Sequence, residues 1–140
     1  MAQVVVYVLT AVAALIVLLT RLRWRQERVA GRAAVSNRWA FWHTVCGVLG
    51  FVLWTIFLIA PGDTLLGGAA MGIFGLGFWW LVVIFGVLLL TRWLPSGGGR
   101  HAGSGGDDRW SGGPWLSLSA HAGMLVIAIV MTWAYLMQKV

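Results

Sequence analysis

Between Trp39 and Ala60 the chain reads WAFWHTVCGVLGFVLWTIFLIA, 22 residues without a charge. At about 1.5 Å per residue, a helix of that length covers roughly 33 Å, enough to cross a hydrocarbon core of about 30 Å. A soluble domain holding such a run needs a charged surface around it, with about 25% charged residues in typical cases. This chain of 140 residues is 60% apolar and only 10% charged. The fold class that follows is all-α, an integral membrane bundle of four transmembrane helices, with residues 1–140 forming a single transmembrane domain.

Three further runs repeat the plan. Residues 3–20 are apolar and precede their positive charges, the reverse of a secretory signal peptide, and so read as a retained first span. The second span, 39–60, is entered past Ser36 and Asn37, good helix caps, and ended by Pro61-Gly62. A short outer hairpin loop, PGDT, then offers Asp63 or Thr64 as a cap for the third span, 65–91. Leu65 to Leu90 alone is 26 uncharged residues, which demands a tilt or an irregular glycine-rich start. The fourth span is 115–137. Between spans three and four, segment 96–114 is too rich in glycine to order itself and reads as a disordered cytoplasmic linker, with His101 in solvent. The first loop, 21–38, carries Arg21, Arg23, Arg25, Arg28, Arg32 and Arg38 against Glu27. Loops this short and basic stay in the cytoplasm, which predicts both termini outside and a multi-pass protein of the cell membrane.

The net charge of +6 and the pI near 11.2 sit largely in that one loop. Membrane orientation accounts for them, anionic lipid headgroups are the expected partners, and a nucleic-acid role is not expected. The single cysteine, Cys46, has no internal partner. No Asp, Glu, Lys or Arg lies inside a span, which argues against an ion pump or a proton-coupled transporter. No nucleophile stands at motif spacing from a base, and HExxH and phosphate-loop patterns are missing, so an enzyme is not expected. The third span carries Gly68 and Gly72 as a GxxxG, with Gly75 close behind, a candidate face for helix packing against another span or another subunit. Trp79 and Trp80 sit mid-span and are expected to face protein or a cofactor.

Two histidines lie within spans. His43 is about 7.5 Å beyond Arg38 along its helix and His121 about 10.5 Å beyond Pro114, and both helices enter from the cytoplasmic side. The pair therefore falls at nearly one depth, as a b-type haem with two axial histidines requires. On that reading Gly47 and Gly50 beside His43, and Gly123 and Ala128 beside His121, leave room for the macrocycle, and Arg38 or Arg92 meets its propionates. Cys46 and Met124, each three residues past a histidine, make copper a variant. The competing view gives the histidines only helix-packing hydrogen bonds. Two functions follow. The first is a small, non-catalytic accessory subunit docked on other membrane protein subunits of a larger complex, a respiratory one among the candidates. The alternative is an electron-transfer protein holding haem b between His43 and His121.

Overall fold

The computed structural model describes residues 2–29, 37–94 and 115–140. The linker 96–114 with His101, and the capping candidate Ser36, lie outside the described residues. Four helices make up the fold: α1 (Ala2–Val29), α2 (Asn37–Ile59), α3 (Ala69–Trp93) and α4 (Trp115–Leu136). All four are long and apolar enough to cross a membrane, the architecture of a multi-pass membrane protein.

Two boundaries differ from the sequence reading, each for a local reason. Helix α1 does not stop at Thr20 but runs through the arginines to Val29. The segment RLRWRQERV contains neither Gly nor Pro, and Arg, Leu, Gln and Glu are strong helix formers, so nothing ends the helix where the apolar run ends. Helix α3 starts at Ala69 rather than Leu65. The Thr64 hydroxyl donates to the Pro61 carbonyl (2.6 Å) and accepts from the Gly67 N–H (3.1 Å). Thr64 therefore closes the hairpin turn instead of capping α3, whose N-cap is Gly68 without a side-chain bond. A Cβ on Gly67 would collide with the carbonyl oxygens of Ala60 and Pro61, which is why the turn needs glycine there.

The helices run alternately up and down. At one end the Tyr7 hydroxyl donates to the Leu58 carbonyl and the Tyr135 hydroxyl to the Ala69 carbonyl, both at 2.9 Å. At the other, Arg23 donates to the Ser117 hydroxyl at 3.1 Å. Each helix packs on its two neighbours around the ring, leaving α1 opposite α3 and α2 opposite α4. The core holds Val6, Ala13 and Val17 of α1, Trp54 of α2, Trp79 and Val82 of α3, and Ile127, Ala128 and Met131 of α4. Trp79 is fully buried, and Trp80 donates its indole N–H to the Thr132 hydroxyl, so both tryptophans face protein. Large apolar side chains such as Leu18, Ile73, Phe74, Ile84 and Val126 are exposed, which suits a surface whose solvent is lipid.

Helices α2 and α3 are the most intimately packed pair. An ideal Cβ on Gly75 would lie 2.9 Å from the Trp54 backbone nitrogen, and one on Gly50 would lie 3.3 Å from the Trp79 backbone nitrogen. Gly72 faces the rings of Tyr135 and Phe57. Gly72 and Gly75 therefore serve packing within the chain. Gly68 is half-buried and approaches the Thr64 carbonyl of its own turn. Gly75→Ala is expected to lower the melting temperature in detergent, because overpacking against fixed backbone costs about 1–3 kcal/mol. Gly77, with open space around its Cα, gives the opposite sign, since Ala there gains up to about 1 kcal/mol of helix propensity. Differential scanning fluorimetry on the two variants checks the pair.

Candidate functional site

His43 is the seventh residue of α2 and His121 the seventh of α4, so both lie about 9 Å into their helices from the arginine-rich end. Gly86 lies seven residues before the end of α3, at about 10.5 Å. These three residues from three helices meet at one level of the bundle. The two imidazole centroids are 6.4 Å apart with their planes at 42°. Metal–imidazole bonds measure about 2.0–2.1 Å, so rings ligating one ion from opposite sides have centroids roughly 6 Å apart. Gly86 lets the rings pack against α3: a Cβ there would sit 2.7 Å from His121 Cδ2, 3.1 Å from His121 Nε2 and 3.5 Å from His43 Nε2.

The hydrogen bonding fixes the state of His121. Its Nδ1 lies 2.6 Å from the Ser117 carbonyl oxygen, one turn earlier on α4. A carbonyl only accepts, so Nδ1 carries the proton and Nε2 presents its lone pair. That Nε2 is buried and has no hydrogen-bond partner. A buried acceptor left unmatched costs about 1–3 kcal/mol. His43 is 2% exposed, deep within the same ring of helices.

Both histidines line a cavity of about 390 Å³, within the range of about 300–1,000 Å³ seen for small-molecule and cofactor sites. Helix α1 contributes Ile16, Leu19, Thr20, Arg21, Arg23 and Trp24, α3 contributes Leu89, Leu90 and Trp93, and small residues beside the histidines, Ala40 and Ala120, complete the wall. The room comes from these residues and not from the expected glycines. Gly47 is taken up by Val17 of α1 and Gly50 by Trp79 of α3, Ala128 is fully buried in the core, and Gly123 faces open space.

The arginines are also distributed differently. Arg38 and Arg92 are exposed, and neither lines the cavity; Arg92 lies over the Trp39 ring at 4.7 Å. At 3.6 residues per turn, Arg38 is rotated about 140° from His43 and Arg92 about 120° from Gly86, so both point away from the site. Arg21 and Arg23 take the place expected for them. Spacing within one helix could have shown the first point. The second required knowing that α1 continues past Thr20. Gly86 was legible by counting inward from Trp93 but was lost among five other glycines of the third span. Cys46 is buried in α2 and Met124 in α4. Among the described residues no three His, Cys, Asp or Glu side chains gather as a metal-ion set, so the cysteine does not join the histidine pair.

No known family model matches the chain, and no curated protein or solved structure is detectably similar to it. The chemistry of the site is therefore argued from its geometry. In the chain purified without added cofactor, nitrogen-15 NMR of labelled histidine is expected to show His121 as the Nδ1–H tautomer, with Nε2 at a pyridine-type shift. A pyrrole-type Nε2 would contradict the assignment made from the Ser117 bond.

Proposed function

We propose that the chain is a small b-type cytochrome of the cell membrane, with haem held between His43 and His121. The observation that carries this reading is His121 Nε2: a buried lone pair, set in its tautomer by the Ser117 carbonyl and facing Gly86 together with the Nε2 of His43, on a residue that lines a cofactor-sized cavity. Hydrogen bonding of the far nitrogen to a carbonyl is the usual way a ligating histidine is oriented and its basicity raised.

Donor count favours haem over a bare ion. Zinc takes four protein ligands in structural sites and three in catalytic ones, whereas this cavity supplies two nitrogens. A tetrapyrrole brings the four equatorial ligands itself and asks the protein for two axial imidazoles from opposite sides. Helices α2 and α4 lie across a diagonal of the bundle, which is where opposed ligands must originate. Held by His43 and His121, haem would supply one-electron exchange, which supports electron carriage over catalysis.

The excess of arginine supports a cytoplasmic location for this end, with both termini outside. Docking onto a larger complex through the third span has lost part of its motive, since Gly72 and Gly75 are occupied by Trp54, Phe57 and Tyr135. A carrier must still meet a donor and an acceptor, and a small haem-bearing subunit of a larger membrane complex meets both expectations.

Protein expressed with ample haem supply and reduced with dithionite should give a low-spin spectrum with sharp α and β bands. His43→Ala and His121→Ala should each abolish it, and Gly86→Val, which fills the space at the two Nε2 atoms, should lower haem occupancy several-fold while helical circular dichroism is retained. A colourless wild-type protein under those conditions removes the proposal.

A further inference from the structure

We infer that Arg21 and Arg23 of α1 form a carboxylate-binding subsite at the mouth of the same cavity. A dianionic tetrapyrrole would then seat with both carboxylates toward the arginine-rich end. This rests on the haem reading above and adds a ligand chemistry to it: the site selects a macrocycle bearing free carboxylates over its neutral counterparts.

The cavity is chemically lopsided. Its inner end is lined by the two imidazole side chains, His43 and His121. Its outer end is lined by Arg21, Arg23 and Trp24, and no carboxylate is among the lining residues described. Arg21 Nη1 and Trp24 Nε1 are both buried without a hydrogen-bond partner. Both are donors, and one belongs to a guanidinium that is always charged. A buried N–H on a cation costs more to leave unmatched than a neutral one. An anion entering the cavity accepts from these donors and pairs the charge as well, whereas a neutral acceptor offers only the weaker bond.

Aromatic rings hold the two guanidinium groups. Arg21 lies over the Trp24 ring at 4.9 Å and Arg23 over the Trp93 ring at 5.1 Å. Such stacking engages the face of a guanidinium, whereas a carboxylate binds to its edge, so the contacts are compatible. The arginine end is also tied to the ligating end through one residue. Arg23 Nη1 donates to the Ser117 hydroxyl at 3.1 Å, and the Ser117 carbonyl accepts from His121 Nδ1. Ser117 and His121 are separated by about 6 Å of helix rise, near the radius of a porphyrin ring. A macrocycle with its iron at the histidines therefore brings its carboxylate-bearing edge to the level of Arg23.

The test is a titration of the full chain, purified haem-free in detergent, with protohaem and with its dimethyl ester, reading the low-spin bis-histidine Soret band. The ratio of the two affinities is compared between wild type and Arg21→Gln/Arg23→Gln, so that unequal partition of the two ligands into micelles cancels. Protohaem affinity is expected to fall about tenfold or more in the double variant, the effect of losing charge-assisted bonds, while ester affinity stays the same. Unchanged ester binding also reports that the variant is folded, and each single variant carries the same comparison should the double one fail to fold. If the ratio does not change, the subsite is overturned while coordination stands; a double variant that instead loses binding to phosphatidylglycerol vesicles assigns the arginines to lipid phosphates. If neither ligand gives a low-spin spectrum with wild type, the haem reading itself fails.

Discussion

The approach of α3 to its neighbours governs the rest of this bundle. At Gly75 the helix comes close enough to α2 that a methyl group would press on the Trp54 backbone, and at Gly86 close enough that it would press on His121. In lipid the apolar surface of a helix gains little by leaving its surroundings, so association depends on close packing and the few polar contacts available. Glycine on α3 supplies the first at three levels: Gly72 against Tyr135 and Phe57, Gly75 against Trp54, and Gly86 against the histidine pair. A bulkier α3 would push α2 and α4 outward. The imidazoles would then no longer stand 6.4 Å apart across the diagonal.

That dependence explains what could be read in the sequence. The helix count, the alternation of direction and the common depth of His43 and His121 follow from hydropathy, loop charge and residue spacing, each a one-dimensional property. Which glycine meets which helix is not one-dimensional. Gly68 and Gly72 form a recognisable motif, yet of the two only Gly72 packs between helices, together with Gly75 and Gly86 outside the motif, and Gly68 belongs to the hairpin turn. The same holds for charge. Arg21 and Arg23 look like members of a basic loop because the apolar run stops at Thr20. Hydropathy marks where lipid ends, whereas helix propensity decides where the helix ends. In α1 the two differ by about two turns, and those turns carry the residues at the cavity mouth.

The arginine-rich end shows how charge is tolerated beside an apolar bundle. Arg21 and Arg28 stack on Trp24, Arg23 on Trp93 and Arg92 on Trp39. Trp24, Trp39 and Trp93 also pack on Ala40 and Leu89 as a small cluster apart from the main core. Tryptophan at a membrane boundary presents an apolar ring inward and a polar edge outward, and here its face additionally takes a guanidinium at about 0.5–2 kcal/mol per contact. These ring contacts hold the cations at the boundary of the bundle.

The two ends of the bundle consequently divide their duties. Away from the arginines, Trp54, Phe57 and Tyr135 interlock around Gly72 and Gly75, while Tyr7 and Tyr135 tie helix to helix through backbone carbonyls. That end is filled and fixes the register of the helices. At the other end the same four helices line a cavity, with the histidine pair at its base and unmatched donors at its mouth. A protein selected for stability alone would fill that space with leucine and remove the histidines, since an apolar replacement of an unsatisfied polar group is stabilising. Orphaned polar atoms also lie outside the cavity, at Trp54 Nε1, Thr55 Oγ1 and Trp79 Nε1, so it is the void beside the histidines, and not the orphans alone, that sets this end apart. The register set by the filled end is what holds His43 and His121 opposite each other.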